Sequence, residues 1–293
     1  MTFLEKFRHL AIAAVIAAPL SAQAQDMADV EITTEDLGGG IYVLFGRGGN
    51  IGVSVGGDGI ILVDDQYAPL TDKVVAAIRD ISDAEMRFLL NTHYHGDHTG
   101  GNENLGHMGV TIVAHDNIHE RLSGKLGDGD AQPAVALPVI TFNDQLSFRI
   151  NGDDARAIHV AHAHTDGDSM IYFKNANVIH MGDLLFNGRY PYIDVDGGGT
   201  VDGYIAAQER GLAVGNAETT YIAGHGPTTD ADGVRANLAM IRTVRNRVAA
   251  LKSTGASLED VLAAAPSADY SQTYAWGFIN DERFVTSVYK SLP

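Results

Sequence analysis

The 293-residue sequence contains no cysteine. Disulfide bonds, a thiol nucleophile and cysteine as a metal ligand are therefore all excluded. Stability must come from a buried core instead, and a chain of this length is long enough to build one. Any hydrolytic or metal chemistry must depend on histidine, carboxylate or hydroxyl side chains.

Basic residues are scarce as well, since 20 Lys and Arg stand against 37 Asp and Glu, for a net charge of −17. A surface this acidic repels phosphate backbones, and it gives no reason to expect binding to an anionic membrane. A phosphate-binding loop is missing too, because the run Gly197-Gly198-Gly199 has no lysine after it. We therefore expect a small-molecule substrate rather than a nucleic acid. Separately, we do not expect a serine triad.

The apolar run Leu10–Leu20 is shorter than the ~20 residues needed to span a bilayer. It follows Lys6 and Arg8 and precedes Ala22-Gln23-Ala24. A basic start, a short apolar run and a small-x-small site are typical of a cleavable signal peptide. We expect a signal peptide over residues 1–24, cut near Ala24, and export of the remainder to the periplasm or the medium.

Residues 25–293 show two successive sets of strand and helix patterns, which predict one α/β sandwich domain. Apolar runs typical of strands recur in both halves, for example at Ile41–Phe45, Ile60–Val63, Ala155–His159 and Ser169–Phe173. Residues 123–138 are rich in Gly and Pro and predict either a connector or a flap over the site. The C-terminal residues Trp276, Phe278, Phe284, Val285, Val288 and Tyr289 are interpreted as core packing.

The most informative segment is His93-Tyr94-His95-Gly96-Asp97-His98, which directly follows the apolar run Phe88-Leu89-Leu90. Imidazole and carboxylate are ligands that suit zinc and neighbouring transition metals. Residues two apart in an extended segment project to one side, so His93 and His95 can bind one ion together. Gly96 lets the chain turn, which allows Asp97 and His98 to face a second ion.

Three further candidates follow predicted strands, namely His164 before Thr165, Asp183 after Gly182, and His225 between two glycines. Loops at strand ends are where folds commonly present ligands, and glycines allow a close approach. His162 would share a face with His164 if the segment were a strand, so it is a candidate for lining the pocket.

These motifs, together with the acidic residue in Leu62-Val63-Asp64, resemble the metallo-β-lactamase-fold hydrolase superfamily. The resemblance implies a four-layer αβ/βα sandwich with two zinc ions per chain. It implies His93, His95 and His164 around the first metal, Asp97, His98 and His225 around the second, and Asp183 bridging them. Asp64 would orient the histidine segment without touching a metal.

The resemblance implies a hydrolase in which a hydroxide between the two metals attacks a carbonyl, with Asp97 accepting or relaying the proton. Common zinc β-lactamases place a cysteine where Asp183 stands and follow it with a lysine that binds the substrate carboxylate. That lysine is missing, although Arg189 is close enough in sequence to take its place. The aspartate is similar to that of glyoxalase II thioesterases.

Export favours a β-lactam substrate, and a thioester, lactone or other ester is the alternative. From other classes, an iron oxidoreductase similar to sulfur dioxygenases would bind one iron and lose the bridging role of Asp183. A non-catalytic binding protein would carry a broken ligand set.

Overall fold

The computed structural model describes residues 27–293. The predicted signal peptide over residues 1–24 lies outside the described residues. Within residues 27–293, no helix is sufficiently long and apolar to cross a bilayer.

The first sheet has seven strands in sequence order: β1 Thr33–Gly38, β2 Ile41–Phe45, β3 Ile51–Gly56, β4 Gly59–Val63, β5 Met86–Leu90, β6 Thr111–His115 and β7 Ile140–Phe142. Strands β1 to β4 pair antiparallel, and β4 to β7 pair parallel. The parallel strands all end at one edge of the sheet, which is where connecting loops can converge.

The second sheet has five strands in the order β12-β11-β10-β9-β8: β8 Gln145–Ile150, β9 Asp153–His159, β10 Ser169–Phe173, β11 Val178–His180 and β12 Thr220–Ile222. Strands β8 to β11 pair antiparallel, whereas β11 and β12 pair parallel. The loops that follow β11 and β12 therefore leave the same edge of this sheet.

Nine α-helices lie between residues 30 and 293: α1 Thr71–Ile81, α2 Gly96–Thr99, α3 Asn102–His107, α4 Asp116–Leu122, α5 Val201–Val214, α6 Ala231–Ser253, α7 Leu258–Ala263, α8 Ser271–Tyr274 and α9 Asp281–Ser291. Helix α7 begins at a capping box, in which Ser257 accepts from the backbone N–H of Asp260 and the Asp260 side chain accepts from that of Ser257.

The two sheets pack face to face over an apolar layer. Alternate residues of the first sheet, such as Ile61 and Val63, meet Ala157 and Ile171 of the second, all at most 1 % exposed. Burying each of the larger side chains contributes about 1.5–3 kcal/mol. Because strand side chains alternate between faces, the opposite faces remain for the helices.

Those outer faces are covered by helices. Val74 and Ile78 of α1 pack on the outer face of the first sheet. Ala207 of α5 packs on the outer face of the second, and α6 and α9 form a further cluster beside it. The layers are helix, sheet, sheet and helix, so the predicted four-layer α/β sandwich is confirmed.

The C-terminal aromatics differ from the prediction in part. Phe284, Val285 and Val288 are buried, as core packing requires. Phe278 is 45 % exposed, so its assignment to the core is wrong. Trp276 is half-buried, and its ring faces the cluster of histidines described below.

Candidate metal centre

The predicted site residues lie in loops at the strand ends of both sheets. Asp64 directly follows β4, and the histidine segment follows β5. Asp183 comes after β11, and His225 comes after β12. Because β11 and β12 run parallel, the last two residues emerge side by side. Gly224 permits this approach, since a Cβ there would overlap the Asp183 carboxylate.

Two groups of side chains converge there, and each offers ligand atoms that lie within 4.8 Å of one another. The first ligand group is His93, His95 and His164, with Asp183 beside it, and the second ligand group is Asp97, His98 and His225. The structure thus brings together all seven residues predicted from the sequence as metal ligands.

Asp183 lies between the two groups and turns one oxygen toward each. Its Oδ2 is 3.4 Å from His164 Nε2 and 3.7 Å from His93 Nε2. Its Oδ1 is 3.1 Å from His98 Nε2 and 3.4 Å from His225 Nε2. A carboxylate in this position can contact two cations at once, one through each oxygen.

The hydrogen bonds of the first ligand group fix which imidazole nitrogens are free. His95 Nε2 lies 3.0 Å from Asp194 Oδ2, and His164 Nδ1 lies 2.7 Å from the carbonyl oxygen of Tyr192. Carboxylate and carbonyl oxygens only accept, so both nitrogens carry the proton. The opposite nitrogens, His95 Nδ1 and His164 Nε2, then direct lone pairs at each other across 2.9 Å. A cation held by both nitrogens would resolve this contact.

Unpartnered polar atoms support the same conclusion. Within the described chain, His93 Nε2 and Asp183 Oδ1 are buried and lack a hydrogen-bond partner. Buried polar atoms in folded proteins nearly always find one, because leaving one unpaired costs about 1–3 kcal/mol. Nitrogen and oxygen donors without thiolates suit zinc and also accept iron. The residues therefore fit a two-metal site.

The electrostatics keep His93, His164 and Asp183 in their metal-binding protonation states, whereas His98 and His225 must lose a proton to bind metal. Burial opposes protonation of His98 and His225, but Asp183 outweighs it and raises the pKa of both, that of His225 to about 9. Burial lowers the pKa of His164 to about 4, and burial together with neighbouring imidazoles holds the pKa of His93 well below its usual value. Burial would raise the pKa of Asp183, but His98 and His225 outweigh it and hold that pKa well below its ordinary value. Neutral imidazole and ionised carboxylate are the forms that bind metal.

Asp64 orients His98 of the second ligand group through a hydrogen bond. It is fully buried and accepts from the backbone N–H and the hydroxyl of Thr92, each at 2.7 Å. Its Oδ2 also lies 2.7 Å from His98 Nδ1, so that nitrogen carries the proton and Nε2 faces Asp183. This is the orienting position that the resemblance implied for Asp64.

Asp194 has the corresponding position beside the first ligand group, and sequence reasoning missed it. Besides His95, its Oδ2 accepts from the Tyr94 hydroxyl at 2.5 Å, and its Oδ1 accepts from the backbone N–H of Gly197. In the sequence, the glycine run after it is considered only as a phosphate-binding loop, and is rejected as one. No spacing rule connects Asp194 to a histidine 99 residues earlier.

The two predicted substrate-binding residues have different neighbours. The guanidinium of Arg189 lies over the ring of Trp276, 5.0 Å from its centroid. His162 lies in an exposed turn with φ 53°, after the end of β9, and its ring contacts the carbonyl oxygen of Gly198. The strand geometry on which the pocket-lining prediction for His162 depended is therefore wrong, and the residue belongs to neither ligand group.

A serine nucleophile is not supported either. The chain contains one Gly-x-Ser-x-Gly match, Gly52–Gly56, but it lies within strand β3 and not at a strand-to-helix turn. Ser54 is 2 % exposed, and its hydroxyl contacts the side chain of Asn151.

Comparison with known proteins gives one family. The family model of the metallo-beta-lactamase superfamily matches residues 44–230, which include every residue of both ligand groups. The hydroxyacylglutathione hydrolase of Pelagibacter ubique is 29 % identical over 120 residues, 41 % of this chain and 44 % of that protein. The enzyme of the same name from Methylococcus capsulatus is 33 % identical over 99 residues, 33 % of each chain. These matches span less than half the length of the curated relatives.

Among solved structures, a metallo-beta-lactamase from Pontibacter korlensis superposes with a TM-score of 0.62 at 16 % identity, over 72 % of this chain and 99 % of that one. At this identity the likeness shows the fold alone.

Proposed function

Because the chain belongs to the metallo-beta-lactamase superfamily, we propose that it is a dinuclear zinc hydrolase that cleaves a carbonyl compound. The observation that carries this proposal is the position of Asp183, with one carboxylate oxygen toward each ligand group. Two bound zinc ions would polarise a carbonyl oxygen and make water acidic enough to ionise near pH ~7.

The protein's own part is to hold the ligands and to move a proton. Asp97 is the most exposed carboxylate of the centre, at 22 %, and its Oδ2 lies 3.3 Å from His225 Nε2. Burial would raise the pKa of Asp97, but His98 and His225 outweigh it and lower that pKa, so the group is ionised at neutral pH. An ionised, accessible carboxylate can accept the proton that the attacking water releases.

Two substrate classes follow from different observations. A β-lactam follows from the proposed export to the periplasm, where such an enzyme would meet the antibiotic, and from Arg189, a cation that could bind a substrate carboxylate. A thioester follows from the two curated relatives that are named hydroxyacylglutathione hydrolases. Asp183 in place of a cysteine also favours the thioester class.

The test is hydrolysis of a matched panel by the zinc-loaded protein: nitrocefin, benzylpenicillin, an acylglutathione thioester and a lactone. Asp183→Ala is the inactive reference. Turnover of nitrocefin and benzylpenicillin that this substitution abolishes would support the β-lactam class, whereas turnover of the thioester alone would contradict it. No turnover in the whole panel would contradict carbonyl hydrolysis itself.

The iron oxidoreductase alternative is not favoured by the geometry. It predicts a single metal and no bridging carboxylate, whereas Asp183 contacts residues of both ligand groups. A single iron bound per chain would reverse this preference.

A further inference from the structure

The metal centre is accessible from one side. His98 and His164 are fully buried, whereas His95 is 19 %, Asp97 is 22 % and His225 is 11 % exposed. A substrate must therefore approach past the three partly exposed residues. What surrounds them determines which substrates can reach the metals.

An aromatic arc, formed by Tyr192, Phe278 and Trp276, borders this open side. The Tyr192 ring lies 5.7 Å from that of His95, and the Trp276 ring lies 6.1 Å from that of His225. Phe278 lies between them, with ring centroids 5.5 Å from Tyr192 and 5.7 Å from Trp276. The arc thus runs from the first ligand group to the second.

Hydrogen bonds hold Trp276 in the arc, and Phe278 is its exposed member. Trp276 Nε1 donates to the carbonyl oxygen of Tyr190 at 3.0 Å. The backbone N–H of Trp276 donates to the carbonyl oxygen of Ile279. Phe278 is 45 % exposed, which is unusual for so large an apolar ring. An exposed apolar surface beside a reactive centre is typical of a binding site.

Two arginines flank the arc. The guanidinium of Arg189 lies 5.0 Å from the Trp276 ring centroid, and that of Arg283 lies 4.6 Å from that of Phe278. Between residues 27 and 293, no carboxylate forms an ion pair with either of them, although the chain carries a net charge of −17. Arg283 Nη1 donates to the carbonyl oxygen of Phe278 at 2.6 Å, so Arg189 is the cation available to a ligand. A cation beside an aromatic face attracts ligands that combine a planar apolar group with an anion.

We propose that Trp276 and Phe278 form an apolar subsite that binds an aromatic group of the substrate, with Arg189 available to its carboxylate. The proposal rests on the proposed function, because it assigns the substrate class of the same centre. It also assigns specificity to residues 276 and 278, which lie beyond the segment matched by the family, residues 44–230. Substrates with a small aliphatic acyl group would leave this surface uncovered.

The single tryptophan of the chain makes a direct test available. Tryptophan emission, excited at wavelengths that the 11 tyrosines do not absorb, reports on Trp276 alone. The full-length zinc-loaded protein can therefore be titrated with phenylacetate and, in parallel, with acetate. We expect a saturable change with phenylacetate and none with acetate, which carries the same carboxylate without the ring. Equal responses to the two compounds, or no saturable response to phenylacetate, would overturn the subsite.

Single substitutions test whether phenylacetate binds at the aromatic arc. Phe278→Ala should weaken phenylacetate binding by roughly three- to tenfold, the range expected for losing one aromatic partner. Met108→Ala is the matched control, because Met108 is 49 % exposed and belongs to neither the arc nor the metal centre. Unchanged affinity in Phe278→Ala, or equal weakening in both variants, would contradict the proposal. Because no turnover is measured, phenylacetate binding without hydrolysis of any substrate would refute the proposed function and leave the subsite standing.

Discussion

Substitution of Asp194 tests how the first ligand group is oriented. Asp194 Oδ2 accepts from His95 Nε2 at 3.0 Å and from the Tyr94 hydroxyl at 2.5 Å. Hydrogen bonds from His95 and Tyr94 hold the pKa of Asp194 below its ordinary value against the effect of burial, so the group is ionised. The proton on His95 Nε2 leaves Nδ1 free to bind metal, and Asp194→Asn weakens that preference.

The size of the effect follows from the bonds that change. A hydrogen bond to a charged group contributes about 1.5–3 kcal/mol, and the amide oxygen of asparagine restores part of it as a neutral acceptor. Removing residues that orient a metal ligand lowers metal affinity by about 10–100-fold. For Asp194→Asn we expect the lower part of that range, about tenfold, or about 1.4 kcal/mol.

The assay is competitive zinc titration against a chromogenic chelator. Asp196→Asn is the matched control, since Asp196 carries the same charge two residues away and is exposed. We expect the control to keep its zinc affinity within about twofold of the parent, because exposed charges interact weakly. Equal affinities of Asp194→Asn and the parent would refute the proposed role of Asp194 in orienting His95.

Further predictions concern stability. Burial opposes protonation of His225, but Asp183 and Asp97 outweigh it and raise its pKa to about 9, from an ordinary 6.5. Metal-free protein should therefore be most stabilised by this imidazolium below pH 6.5 and lose that contribution as the pH rises through about 9. The free energy of unfolding in urea, measured from pH 6 to 10, checks this, and a value that does not change with pH would argue against it. Zinc-loaded protein, in which His225 is neutral, should show no such loss of stability. Asp64→Ala leaves the backbone N–H and hydroxyl donors of Thr92 unpaired, so it should lower the free energy of unfolding of the metal-free protein by about 3 kcal/mol or more. A decrease below about 1 kcal/mol in the same urea assay would contradict this prediction.

The parts of the site that depend on local geometry could be predicted from the sequence. The spacing of His93, His95, Asp97 and His98 was sufficient to predict two groups of ligands, because side-chain direction follows from the neighbouring backbone. Asp183 and His225 were found through their glycine context and the resemblance to the family. The alternation of apolar runs predicted the sandwich, because each sheet must bury one face against the other.

The remaining features depend on contacts between distant segments. Asp194 contacts His95 across 99 residues of sequence and accepts from the backbone N–H of Gly197, so its role has no local signal. The pocket-lining prediction for His162 assumes strand geometry, yet β9 ends at His159 and the following backbone turns. Phe278 reads as a core residue by type alone, whereas the fold leaves it on the surface beside the metal centre.

The metal content of the protein tests the central claim most directly. Seven side chains converge on two positions, with Asp183 between them. We therefore expect two zinc ions per purified full-length chain, measured by inductively coupled plasma mass spectrometry. Asp183→Ala should lower that number, because the carboxylate shared by both positions is lost. Two zinc ions per chain, reduced by this substitution, is the result we predict. A single iron, or a zinc content that Asp183→Ala does not change, would contradict the account.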